Sequence, residues 1–305
     1  MKNRSYNKGA VETLAQIIFS VCAFFAVLAV FSITLYMIIS GSPAILKVGL
    51  VEILFGTEWA PTAQEPHFGI LYVILTSIVG TALAILLGVP IGLLTAVFLA
   101  EVAPRKAAML VKPAVELLVG IPSVVYGLLG IYLLNPLMYQ LELAIFKDSQ
   151  KHQFTGGANL LSAVIVLAIM ILPTVINISE TAIRAVPSGM KAASLALGAS
   201  QMQTVFRMIL PAAKSGIVTA VVLGVGRAIG EAMAITLVSG SSVNLPLPFN
   251  SVRFLTTAIV SEMGYSQGVH RQVLFTIGLV LFAFIMIINV TLGRILKKGA
   301  SVDER

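Results

Sequence analysis

Six apolar runs dominate this sequence, at about residues 14–40, 70–99, 114–139, 159–183, 215–239 and 272–296. A helix needs roughly 20 residues to cross the ~30 Å hydrocarbon layer of a bilayer, and each run is long enough to do so. The predicted fold class is therefore all-α: a polytopic membrane protein with six transmembrane helices. Composition agrees, since only 11% of the 305 residues are charged and 58% are hydrophobic, against about 25% charged in an ordinary soluble chain. The first run follows Met1-Lys2-Asn3-Arg4 and has the charge order of a signal peptide, but its apolar stretch from Leu14 to Ile39 outruns an h-region of roughly 7–15 residues. It is read as a membrane helix.

Lys and Arg counts in the connecting segments set the orientation. With the N-terminus inside, fourteen basic residues fall in inner segments and five in outer ones, and the twentieth, Arg227, lies within the fifth run. Both termini are thus expected in the cytoplasm. The net charge of +7 is spread between apolar runs, which argues for an orientation signal rather than a nucleic-acid surface. The chain divides into an inner N-terminal segment (1–13), a first transmembrane helix (14–40), an outer interfacial segment (41–68), a transmembrane core (69–296) containing an inner loop (184–214), and an inner tail (297–305). In the outer segment, residues 50–55 read as a short interfacial helix, with Trp59 among lipid headgroups.

The dipeptide Gly-Lys does not occur, so this chain has no P-loop to hold ATP phosphates. His67, His152 and His270 stand alone in three outer segments and the single cysteine, Cys22, lies inside the first run, so no metal site or disulfide is expected. Cys22 is read as a small core residue. Two sequon matches, at Asn177 and Asn289, fall within apolar runs and are chance matches. Charge at membrane depth is unfavourable by about 2.5–3.5 kcal/mol, which makes intramembrane ionisable residues informative. Glu116 opens the third run, Glu180 closes the fourth, and Arg227 and Glu231 lie within the fifth. If that run is one helix, the i, i+4 spacing puts the last two on one face as a pair. Gly226 and Gly230 repeat the spacing and would admit a neighbouring helix. Two readings stay open: a structural ion pair, or a polar path in which the guanidinium meets an anion, its planar fork suiting a tetrahedral oxyanion. Glu180 and Glu116 are secondary polar candidates.

The inner loop carries the strongest pattern. Pro187 can open a helix, residues 192–197 propagate it, Gly198 can end it, and a second helix can run to Pro211. A compact helix-turn-helix facing the cytoplasm is an expected docking surface. Ala192, Ala193, Gly198 and Ala199, with Met208-Ile209-Leu210-Pro211 beginning ten positions after Gly198, resemble the EAA loop of membrane subunits of ABC importers. Ala192 stands where that pattern has glutamate. Residues 55–61, 67–70, 120–127, 171–174 and 226–231 together are similar to PstC-type permeases of the high-affinity phosphate importer, over nearly the whole chain from 14 to 296.

The resemblance implies a MetI-like, type I importer permease in the bacterial inner membrane, a non-catalytic subunit for phosphate import. It implies a PstA-like permease partner, a phosphate-importer ATPase dimer that carries the ATP and Mg, and an extracytoplasmic phosphate-binding protein. Arg227 and Glu231 match positions implicated in phosphate movement, and the EAA-like loop would couple to the ATPase. Against this stand two other classes: a secondary transporter or channel with Glu231 as proton carrier, and an intramembrane enzyme. The second lacks any Ser/His or paired-Asp constellation in the runs, and the first predicts uptake that survives ATP depletion.

Overall fold

The computed structural model describes residues 3–149 and 152–300, with side chains for 12–149, 152–291, 293 and 294. Lys2, Lys151 and Arg305, all used in the charge count, lie outside the described residues. The chain runs α1 (Asn3–Val48), α2 (Leu50–Phe55), a hairpin of β1 (Trp59–Ala60) and β2 (His67–Phe68), α3 (Leu71–Val97), α4 (Arg105–Gly120), α5 (Ser123–Leu129) and α6 (Asn135–Phe146). It continues through α7 (Leu160–Arg184), α8 (Ser188–Ala196), α9 (Gln201–Thr204), α10 (Leu210–Ala212), α11 (Lys214–Gly230), α12 (Met233–Val238), α13 (Leu255–Glu262) and α14 (Gly268–Ala300). One-turn π segments extend α3 and join α5 to α6 and α9 to α10. In the hairpin, Trp59 pairs with Phe68 and Ala60 with His67, antiparallel.

Five stretches are long and apolar enough to span a membrane: Glu12–Val48, Leu71–Val102, Ser123–Phe146, Leu160–Arg184 and Gly268–Thr291. The sixth is bent, Gln201–Ala212 meeting Lys214–Gly230 at 70°. Pro211 explains the irregularity, because it cannot donate to the carbonyl one turn back and crowds it, and the π turn Val205–Ile209 precedes it.

Three helix boundaries differ from the sequence reading. The first helix continues past residue 40 to Val48 with Pro43 inside it. The carbonyl of Ile39 that Pro43 cannot reach is met instead by the Ser42 hydroxyl at 3.4 Å, the side-chain substitution that lets membrane helices keep a proline. The third span starts at Ser123 rather than 114, since extended backbone at Ile121 and Pro122 ends α4 and leaves it a separate amphipathic helix. The fifth run breaks at Glu231, whose ψ of 129° is extended. Cys22 is also not in a core: it is exposed, on the half of α1 that no other element covers.

Helix α7 is the centre of the bundle, its N-terminus capped by the Asn159 side chain accepting from Ser162 N at 3.0 Å. Helix α3 presents Gly80, Ala84, Gly88 and Gly92 at four-residue intervals, a small-residue face that lets backbones approach. A Cβ at Gly88 would sit 2.7 Å from Ile171 Cδ1 and 3.0 Å from the Ala168 carbonyl oxygen. Gly88→Leu is therefore expected to force the helices apart, at the upper end of the ~1–3 kcal/mol typical of overpacking or beyond it. The measurement is the amount of monodisperse protein extracted from membranes, with Gly120→Ala as control because nothing lies within 4 Å of the added carbon there.

Connecting segments gather at two ends. The hairpin end collects residues 41–70, 152–160 and 239–270, where Ile70 N bonds Ile53 O and Leu160 N bonds Asn250 O. The loop end collects the termini of α3 and α7 with α4 and α8–α10, joined by Arg184 Nη2 to Leu99 O at 2.8 Å and Gln201 Nε2 to Glu101 O at 3.3 Å.

Candidate functional site

Arg227 sits one turn before the end of α11, half-buried against α7, and its Nη1 donates to Thr174 Oγ1 at 3.3 Å. Thr174 lies fourteen residues from the start of α7 and ten from its end, about 21 and 15 Å along the axis. The guanidinium is thus well inside the span. Tyr126 of α5 donates its hydroxyl to Leu118 O at 2.8 Å. Gly226 and Gly230 beside Arg227 are exposed, and a Cβ at either would meet nothing within 4 Å. The close helix expected there is absent among the described residues, so Arg227 borders an open, small-residue face.

The predicted Arg227–Glu231 ion pair is not formed. The helix that would have aligned them ends at Gly230, and Glu231 turns away: its Oε1 accepts from Ala234 N at 3.0 Å, capping α12, while its carbonyl accepts from Thr256 Oγ1 at 2.7 Å. Such side-chain and cross-element bonds compete with helical ones, and Gly230 is a weak helix former. Arg227 therefore keeps most of its five N–H donors, with Thr174 as its hydrogen-bond partner.

Glu180 is buried, accepting from Arg184 Nε at 2.7 Å and Lys112 Nζ at 3.3 Å. It ties α7 to α4, and through Arg184 to the end of α3. Glu116 stands apart, exposed on α4 rather than opening a span. In the loop, Ala192 and Ala193 are exposed on α8, Gly198 ends that helix with φ +85°, and Ala199 leads into the α9 cap, where Ser200 Oγ accepts from Gln203 N at 3.2 Å. Leu210 and Pro211 form α10 after the π turn. Lys191 pairs with Glu101, and Ser194 Oγ lies 2.9 Å from Thr204 Oγ1, which folds α8 back on α9. No residue of α8 is buried, and Leu195, Leu197, Met202 and Phe206 are exposed around it.

Two polar clusters at the hairpin end escaped the sequence reading. Glu262, nearly buried, accepts from Trp59 Nε1 at 3.1 Å, bonds His270 Nε2 at 2.7 Å and pairs with Arg253. Glu142, fully buried, bonds His152 Nε2 at 2.7 Å and accepts from Thr155 N at 3.0 Å. Trp59 is therefore a packed hydrogen-bond donor, not a headgroup anchor. Two of the three isolated histidines, His270 and His152, have carboxylate partners eight and ten residues away. The signal available was Glu142 itself, an ionisable residue flanked by Leu141 and Leu143.

The family model described as the binding-protein-dependent transport system inner membrane component matches residues 88–301. The chain belongs to that family. It is 38% identical to the probable ABC transporter permease protein YqgH of Bacillus subtilis (strain 168), covering 93% of this chain and 91% of the relative. Identity is 33% to the phosphate transport system permease protein PstC of Xylella fastidiosa (strain 9a5c), over 97% of this chain and 94% of the relative. The PstC of Haemophilus influenzae (strain ATCC 51907 / DSM 11121 / KW20 / Rd) is 30% identical over 92% of each. Among solved structures, a chain of a bacterial alginate ABC transporter, in complex with an alginate-bound periplasmic protein, shares the fold at TM-score 0.67 and 13% identity, over 97% of this chain and 98% of that one. A chain of the MetNI methionine ABC transporter shares it at TM-score 0.52 and 20% identity, over 76% and 94%. The architecture is that of a MetI-like ABC permease. As a permease of this family, the chain is the membrane component of a transporter and not its ATP-hydrolysing part.

Proposed function

We propose that this permease moves inorganic phosphate inward as one half of the translocation path of an ATP-driven importer, with a PstA-like permease as the other half. The supporting observation is Arg227: a guanidinium inside the span, without a carboxylate partner among the described residues and beside an open glycine face, in a chain similar to PstC proteins over nearly its whole length. A second permease placed against that face would enclose the arginine in a path that neither chain forms alone. The charge count favours both termini in the cytoplasm, making the loop end the inner one. Exposed apolar side chains on α8–α9 then suit docking onto a dimeric ATPase that holds ATP and Mg, with Ala192, Ala193, Gly198, Ala199, Leu210 and Pro211 shaping the docking loop. The hairpin end would meet an extracytoplasmic phosphate-binding protein.

The test is uptake of radiolabelled phosphate in cells lacking this chain and restored with it, with sulfate and molybdate as competitors and ATP depleted in parallel. Restored uptake that stops on ATP depletion and ignores the other anions is expected. Displacement by sulfate or molybdate would reassign the substrate. Uptake that survives ATP depletion and collapses with an uncoupler would make Glu231 a proton carrier and overturn the reading.

A further inference from the structure

An arginine does not choose among tetrahedral oxyanions, because phosphate, sulfate and molybdate all offer paired oxygens to its fork. Phosphate near neutral pH differs in carrying a P–O–H group, a donor that sulfate and molybdate lack. A site that discriminates needs a hydrogen-bond acceptor beside the guanidinium, since a buried acceptor left facing an unprotonated oxygen stays unpaired and is strongly unfavourable.

Helix α7 carries an unpaired acceptor about one turn from Thr174. Asn177 Oδ1 is buried and has no hydrogen-bond partner, which is unusual enough in a folded protein to call for a reason. Asn177 is three residues beyond Thr174, the hydroxyl that Arg227 Nη1 bonds, and residues at i and i+3 share a helix face. The amide is thus about 4.5 Å further along the axis toward the loop end. Thr181 Oγ1 bonds the backbone carbonyl of Asn177 at 2.8 Å, so that hydroxyl is occupied and does not serve the side chain. Ser179 Oγ is likewise unpaired, but Ser179 is wholly buried within the bundle, whereas Asn177 and Thr174 are both half-buried.

We infer that Asn177 selects protonated tetrahedral oxyanions, its amide oxygen accepting the P–O–H proton while Arg227, positioned by Thr174, binds the remaining oxygens. The inference rests on reading the chain as a phosphate permease, and it adds the residue that sets the substrate class: phosphate and arsenate admitted, sulfate and molybdate refused.

Asn177→Thr and Asn177→Val are matched in shape and differ in one acceptor. The complete importer, without its binding protein, is placed in nanodiscs, and binding of labelled phosphate is competed with arsenate and with sulfate. Whole-cell uptake at matched protein levels is read separately. Wild type and Asn177→Thr are expected to prefer arsenate over sulfate at least tenfold. Asn177→Val is expected to lose that preference and to lower maximal uptake about tenfold. Equal losses in the Thr and Val variants with the preference intact would make Asn177 a packing residue and overturn the inference. So would wild-type importer that binds no phosphate or shows no preference, even where uptake by wild-type cells upholds the phosphate reading. Wild-type cells that take up no phosphate would instead sink that reading itself.

Discussion

Replacing Arg227 by Ala is expected to lower phosphate uptake about 100-fold or more while leaving the complex assembled. Each charge-assisted hydrogen bond to an oxyanion contributes about 1.5–3 kcal/mol, and loss of a bidentate pair removes two. Assembly is expected to survive because the guanidinium holds little else: its hydrogen bond is the 3.3 Å contact with Thr174, and Glu231 is occupied in capping α12. Arg227→Lys restores the charge but not the planar fork, so recovery within tenfold of wild type is not expected. The measurement is radiolabelled uptake normalised to the amount of purified complex. Undiminished uptake in Arg227→Ala would remove the residue from the path, and loss of the complex itself would make it a structural residue.

The spans, their alternation between two ends and the helix-turn-helix loop were legible because each rests on local information: apolar length, Pro187 before a helix, Gly198 at a positive φ after it. What misled was the assumption that an apolar run is one helix. Within the run 215–239 only Gly230, a weak helix former, hints at the break at Glu231, which also depends on a hydroxyl, Thr256, twenty-five residues further on. The same non-locality hid Glu262, whose partners come from the hairpin, the loop before α13 and the start of α14. It also misplaced the packing glycines, since Gly226 and Gly230 have the right spacing but face open space, while Gly88 and Gly92 abut α7. Spacing identifies a face; only the fold says what lies opposite. The depth of Arg227 within the span was legible because it follows from the run, whatever its partner.

The Glu262 cluster gives the second large effect, on stability. Arg253 and Glu262 side chains are only 15% and 6% exposed, so removing one charge leaves the other buried and uncompensated, a loss of about 3–5 kcal/mol. Glu262→Leu also strands Trp59 Nε1 and His270, and with them the contacts joining the hairpin to α13 and α14. The expected result is a marked fall in the melting temperature of the purified protein and in its level in membranes. The sign of a second substitution separates this account from simple loss of packing. If the unpaired guanidinium is the main penalty, adding Arg253→Leu to Glu262→Leu should recover part of the stability, because apolar replacement of both members of a buried pair is often neutral or favourable. Arg253 Nε also bonds Ser241 O at 2.8 Å, which limits the recovery to a fraction of what Glu262→Leu removes. A double variant less stable than either single one would mean that packing, not the stranded charge, carries the hairpin end.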